Sequence, residues 1–471
     1  MHDDVTPLVP PPATPAAPPR PADAAPRFVT GSIFRHLLVM TGTGAFGLMA
    51  IFIGDLANIY FLSLLKDVET LAAVGYASSV LFFATSIGIG LSVAAAALVA
   101  PALGARDRVR ARRLSTNAHI AAAVVSAILA LVLWLLVPSI LTSLGARGRT
   151  HALAVDYLSI LVPALPPLAV GMASGAVLRS AGDAPRAMYI TLAGAATNII
   201  LDPILIFGLG LGIHGAAIAS AIARLVIVGI GLNGVIRIHD LMAPFDRLAL
   251  VEDAGAIAAI AVPAVVANVA TPVGSAYVTY AIAPHGDDAV AGWAIIGRIM
   301  PVAFGAIYAL SGSIAPVLGQ NLGARDFVRV RRTLTDALQI TVGFTALAWL
   351  VLALFARSLA DAFHASGAAA DLIVFNCRWV APLFVFLGAL FVANACFNTL
   401  GKPHYSTLFN WGRATVGTVP FVLIGDSIGG PQGILLANML GGIVFGVTAV
   451  LLCRRLIDSL ATQSLDGSGL R

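Results

Sequence analysis

Two carboxylates stand inside strongly apolar stretches of this chain. Asp55 follows Ile51-Phe52-Ile53-Gly54, and Asp202 follows Asn198-Ile199-Ile200-Leu201. An ionised side chain at the centre of a bilayer costs about 2.5–3.5 kcal/mol on insertion scales. Such a residue persists where it faces protein or water and has a function. Asn58 lies three residues beyond Asp55, and Asn198 four before Asp202, so each amide shares a helix face with its acid. Pro203 loosens the helix ladder next to Asp202, and Ser220 offers a hydroxyl one turn before Arg224. The chemistry open to such a set is the reversible loading of a proton or a small cation. Free Asp titrates near 4, so proton exchange near neutrality needs surroundings that favour the neutral carboxyl. Burial beside a second carboxylate does this, and two such acids titrate as a coupled pair. Two plainer readings stand beside this one. Asp55 could reach headgroup water from the outer end of its span, and Asp202 could brace a proline kink while paired with Arg224.

The elements that position these groups are read from the apolar runs. Charged residues are 11% of the chain and hydrophobic residues 59%, with mean hydropathy +0.92. A soluble domain carries about 25% charge, so the bilayer is the solvent for most of this protein. A span needs about 20 apolar residues. That ruler gives twelve, near 35–63, 70–100, 115–144, 152–178, 186–210, 213–236, 253–283, 288–320, 333–360, 371–400, 404–427 and 431–455.

Leu103-Gly104-Ala105-Arg106-Asp107 returns 219 residues later as Leu322-Gly323-Ala324-Arg325-Asp326, and at that offset Pro163 falls on Pro382 and Gly182 on Gly401. The chain is therefore two homologous six-span halves in tandem, parallel repeats related by an axis along the membrane normal. The expected organisation is a disordered Pro-rich cytoplasmic tail over 1–30, one lobe over 31–240, a second over 241–460 and a short cytoplasmic tail over 461–471. Twenty of the 28 Lys and Arg fall in the tails and alternate loops of one side, which places both termini in the cytoplasm. The net charge of +5 then calls for no nucleic-acid partner. Cys377, Cys396 and Cys453 sit in or beside apolar runs at no ligand spacing, so neither a disulfide framework nor a metal site is expected.

Several segments in order resemble the multidrug and toxic compound extrusion (MATE) family. They are Ala100 to Arg113 after span 2, Gly319 to Asp326 after span 8, and Val177-Leu178-Arg179-Ser180-Ala181-Gly182-Asp183 at the end of span 4. Asn198 to Pro203 in span 5 and Gly212 to Ser220 at the start of span 6 complete the set. The resemblance covers about 35–455 and is nearest to the DinF-like, N-lobe-coupled members. It implies an all-α integral membrane protein, with twelve transmembrane helices in two pseudo-symmetric six-helix bundles that form a V around a central cavity. It further implies a multi-pass antiporter of a bacterial inner membrane, exporting amphipathic, mostly cationic drugs and toxins against inward protons. In that family an acid at the Asp55 position is a cation-coupling site. Asp202, Asn198 and Ser220 correspond to its hydrogen-bonded network, with Asn58 beside them.

At the repeat offset Asp55 falls on Gly274 and Asp202 on Phe421, so coupling through the second lobe is disfavoured. The proline that family span 1 often carries before its Asp is missing; Gly42 and Gly44 stand in that stretch. Met40, Met49, Phe46, Met172, Tyr277, Phe304 and Tyr308 are candidates for a soft substrate cavity. Arg224, Arg298 and Arg413 are intramembrane arginines read mainly as structural. No P-loop, nucleophile elbow or zinc-protease motif occurs, so neither an enzyme nor a bound cofactor is expected. The coupling ion is a proton, with Na+ as the alternative. The partners are small organic cations and the lipid bilayer, around a monomer. A sodium-coupled antiporter and a lipid-linked precursor flippase are the rival readings.

Overall fold

A computed structural model describes residues 26–465. Within lipid every backbone amide and carbonyl must be paired inside its own segment, so long apolar runs become helices. The spans are α1 (Ile33–Ser63), α2 (Val68–Gly104), α3 (Arg108–Ser143), α4 (Gly148–Ser180), α5 (Ala184–Gly208) and α6 (Gly212–Ile238). The second half holds α7 (Arg247–His285), α8 (Asp287–Ala303 with Gly305–Gly323), α9 (Phe327–Leu354) and α10 (Gly367–Thr399). Its last two spans are α11 over 403–428, broken by a turn at 415–418, and α12 over 431–464, and they meet at non-helical backbone at Gly429 and Gly430. Twelve spans thus form two six-helix lobes, as the apolar runs predicted. One span departs from expectation: α8 bends by 48° at Phe304 rather than running straight.

The sequence repeat is also a conformational repeat. Arg106 and Arg325, Gly182 and Gly401, Gly145 and His364, and Gly148 and Gly367 all adopt left-handed backbone, each pair 219 residues apart. Pro163 and Pro382 both sit in single 3-10 turns that interrupt α4 and α10. The Leu-Gly-Ala-Arg-Asp phrase is a helix reversal. Arg106 and Arg325 turn the chain, and Asp107 and Asp326 cap the next helices by accepting from the Arg110 and Arg329 amides.

Four buried apolar clusters show how the lobes meet. Toward the face that carries the termini, α2 of the first lobe shares a cluster with Ile257, Ile260, Ala261 and Ala315 of the second. The second lobe's cluster there takes in Phe28, Ile33, Leu37, Met40 and Ala184 from the first half of the chain. Toward the opposite face each cluster belongs to one lobe alone. The molecule is therefore a V sealed at the terminal face and parted at the other. The seal is reciprocal about the pseudo-twofold axis. A Cβ on Gly104 would lie 1.9 Å from the Gln320 carbonyl oxygen, and one on Gly323 would lie 1.9 Å from that of Pro101, the residue equivalent to Gln320. Only glycine permits this backbone approach.

Of the tail expected to be disordered, residues 1–25 lie outside the described residues, but 26–30 are packed in place. The Phe28 ring is 2% exposed. The Phe28 amide donates to Gln320 Oε1 at 2.8 Å, and its carbonyl accepts from Asn321 and Arg329. Arg27 donates to the Gly182 carbonyl across the seam. This strap is the counterpart of the linker before α7, whose carbonyls at His239, Asp240 and Met242 are held by Arg108 and Arg112. Each lobe's first helix is thus preceded by a segment that arginines clamp, which proline-rich composition concealed. At the other end, α12 continues to Leu465 past the expected boundary at 460, and residues 466–471 lie outside the described residues.

Asp183, outside the spans, caps α5 and faces Arg186 and His239. Burial alone would raise its carboxyl, but hydrogen bonds from His239, the Arg186 side chain and the Arg186 amide prevail and hold it at about 2.

Candidate functional site

The first lobe places its acids through a glycine register. A Cβ on Gly47 would lie 2.5 Å from Thr191 Oγ1, and one on Gly54 would lie 3.4 Å from Ala195 Cβ. α1 therefore lies close along α5. One turn beyond Gly54, Asn58 Nδ2 donates to Asp202 Oδ2 at 3.0 Å. Asp202 is 0% exposed. After Pro203 the helix relaxes into a π-turn over Ile204–Gly208, the loosening that proline implied. Two buried acceptors in this nest have no partner among the described residues: Asp202 Oδ1 and Asn198 Oδ1, one turn apart on one face. Arg224 does not pair with Asp202. Its guanidinium donates to the Leu161 carbonyl at 2.9 Å, so the braced-kink reading fails. Tyr157 of α4, which sequence reasoning missed, is buried in the same lobe's outer cluster with Ile206 and Ile213. Nothing in its local sequence marks it; only fold-level placement of α4 against α6 could have found it.

Asp55 does not join the nest directly. It follows Gly44, Leu48 and Ile51 on one stripe of α1, eleven, seven and four residues on, and a Cβ on Gly44 would touch Ala309 of the other lobe. Asp55 is exposed on that stripe, eight residues before the end of α1 and thus about 12 Å inside it. Asn58, on the same helix face as Asp55, donates to Asp202, so the two acids are related through this amide without a direct contact among the described residues.

Below Asp55 lies a cavity of about 250 Å³ between the lobes, walled by α1, the end of α4, the start of α5 and the second part of α8. Met40 and Tyr308 line it; Met49, outside the lining, has its sulfur 3.8 Å from a Cβ placed on Gly305. Four other candidates do not line it. Phe46 is 72% exposed and points roughly opposite to the Gly44 stripe, away from the other lobe. Phe304 is fully buried and stacked on Phe384, filling the bend of α8. Met172 packs between α4 and α2 at Gly88, and Tyr277 packs against the outer cluster of the second lobe. Composition marked these side chains as adaptable, but helix phase decides which ones see the cavity. Sequence reasoning also missed Arg179, which stands in the last turn of α4 on the cavity wall.

A family model described as MatE matches residues 45–204 and 263–424, one block in each lobe. The chain belongs to the MatE family. A Shewanella oneidensis protein named "FAD transporter" is 29% identical over 93% of this MatE chain and 98% of its own. The Staphylococcus aureus "Multidrug export protein MepA" is 22% identical over 93% and 97%. Among solved structures, the Vibrio cholerae MATE transporter VcmN in its bent form superposes with TM-score 0.86 at 27% identity, covering 91% of this chain and 97% of that one. An outward-facing multidrug resistance MATE transporter superposes with TM-score 0.85 at 22% identity, a likeness of fold. These relatives are transporters, and the chain shares the fold of the two solved structures.

Proposed function

We propose that this MatE protein is a secondary antiporter exporting amphipathic organic compounds of the drug and toxin class, driven by inward protons bound at Asp202 and Asp55. The observation that carries this reading is the pair of orphaned acceptors, Asp202 Oδ1 and Asn198 Oδ1. Buried acceptors without donors are costly. One proton on Asp202 would supply the missing donor to Asn198, and its loss would leave a buried charge that only solvent or movement could relieve. A change in proton occupancy therefore alters the free energy of the Asn58–Asp202 contact that binds α1 to α5. α1 in turn carries the stripe that meets the second lobe, so the proton bears on the seal.

The basic loops support an inner membrane location with cytoplasmic termini, so the sealed face is inward and the cleft opens outward. The multidrug and FAD-transporting relatives support a substrate class of bulky organic molecules. A monomer suffices for the cycle, since each chain carries both lobes.

Sodium is the second reading, because the same two free oxygens are hard acceptors of the kind that cation prefers. The test is ethidium efflux from energised vesicles with the pH and sodium gradients collapsed one at a time. Loss of efflux on collapsing the pH gradient alone supports proton coupling. Loss on removing the sodium gradient alone overturns it.

A further inference from the structure

The cavity between the lobes has a polarity opposite to that of the nest above it. No Asp or Glu is among its lining residues, and Arg179 is the one charged group on its wall. The lining hydroxyls of Thr43, Thr191 and Ser313 are turned to carbonyls of their own helices. Among the described residues the Arg179 side chain donates no hydrogen bond and meets no carboxylate. Compare Arg224, whose guanidinium is bound by a carbonyl as a structural arginine should be.

The second lobe repeats the anomaly behind Tyr308, which shares the cavity wall. Arg413 is 9% exposed, its Nε has no partner, and its one side-chain hydrogen bond among the described residues is a long 3.4 Å contact to Thr271 Oγ1. Tyr308 is its electrostatic neighbour. A guanidinium withdrawn from water without a counter-charge is retained at a cost: Arg413 is buried behind the Tyr308 wall, and the half-buried Arg179 stands on the wall of the other lobe.

We propose that this cavity recognises an anionic group, a phosphate or carboxylate, on the transported compound, with Arg179 as its counter-charge and Tyr308 backed by Arg413 on the facing wall. The planar fork of arginine is suited to bidentate contact with either group. Gly44, Leu48, Met40 and Met188 offer the apolar remainder of the substrate a flat and adaptable surface. The inference rests on the export reading and narrows its substrate class, away from the cations that resemblance suggested. It also fixes the electrical character of the exchange: a proton entering and an anion leaving both move charge in the sense the membrane potential favours.

Equilibrium binding tests the inference without requiring coupling. The probes are 4-methylumbelliferone and its phosphate, which share one ring system, with ethidium as the cationic control, titrated against the full-length protein in phosphatidylcholine nanodiscs. Wild type is expected to bind the phosphate at least tenfold more tightly than the parent phenol. Arg179→Gln should erase that preference while leaving the phenol's affinity unchanged, Arg179→Lys should keep part of it, and Arg413→Gln should weaken it. Equal affinity for the two coumarins, tighter binding of ethidium, or a preference untouched in Arg179→Gln overturns the assignment. A second arm uses discs containing phosphatidylglycerol. If that lipid abolishes the phosphate preference, the site belongs to a lipid headgroup and the substrate assignment falls; an unchanged preference supports it. Because no gradient is imposed, a failure of proton coupling at Asp202 leaves these affinities untouched, so the two readings fail separately.

Discussion

Replacing Asp202 with Asn removes one charge and very little else. The side chain keeps its shape, its carbonyl still accepts from Asn58, and the hydrogen bond worth about 1 kcal/mol survives. The new amide also brings a donor to the nest that now lacks one beside Asn198. Asp202→Asn is thus expected to fold and insert with a melting temperature equal to or above that of wild type. Transport should change character. A proton crossing 100 mV releases about 2.3 kcal/mol, and one pH unit adds about 1.4. Together, at about 1.4 kcal/mol per decade, these support a neutral-solute gradient of several hundredfold. A permanently neutral nest cannot exchange that proton, so the attainable gradient falls to about one. The assay is reconstitution into liposomes with a pH step of about two units and the potential clamped at zero, reading the accumulation ratio of ethidium and of 4-methylumbelliferyl phosphate, for which the pH term alone supports about a hundredfold in wild type. Counterflow without a gradient serves as the control for an intact carrier. If Asp202→Asn builds more than a tenfold ratio when the pH step is applied, the coupling argument is refuted.

Three further outcomes are expected. Gly104→Val should force the sealed face apart, since its Cβ would overlap the Gln320 carbonyl; spin labels at the exposed, pseudo-equivalent Val109 and Val328 should report a longer separation, and an unchanged distance distribution contradicts the seam geometry. Phe28→Ala should cost about 3–5 kcal/mol in the sealed state alone, raising the population with the longer label separation, and a distribution identical to wild type means that the strap does not hold the seam. The Asp183 carboxyl sits at about 2 in the fold and near 3.9 when unfolded, so its stabilisation is complete above about pH 4 and fades as the pH falls toward 2; the melting-temperature gap between wild type and Asp183→Asn should be constant from pH 5 to 8 and narrow at pH 3, and a gap that widens in acid contradicts the sign.

Much of the architecture is legible before any coordinates are seen, because lipid admits few solutions. Apolar runs of about 20 residues must be helices, and a constant offset of 219 must be a tandem fold, so all twelve spans and the pairing of Pro163 with Pro382 follow. The contact of Asn58 with Asp202 follows less directly, from two polar residues at helical spacing on spans that glycines bring together. What escapes is whatever depends on helix phase and on the partner lobe. Phe46 and Met40 are both apolar residues of α1, yet helix phase turns one away from the other lobe and the other into the cavity. Arg179 lies one residue beyond the span expected over 152–178, and only its place in the last turn of α4 sets it on the cavity wall. Phe28 was hidden by the proline-rich stretch before it, and the arginines that hold the two straps, Arg329 in one lobe and Arg108 and Arg112 in the other, do not stand at the repeat offset.

The crossing of Gly104 and Gly323 bears on how such a machine moves. Main chain lies on main chain there, so the crossing itself can act as a pivot. The side chains gathered beside it, Phe28 among them, are what must separate before the halves swing apart, so the angle between the lobes is governed by the apolar packing around the pivot and not by the pivot itself.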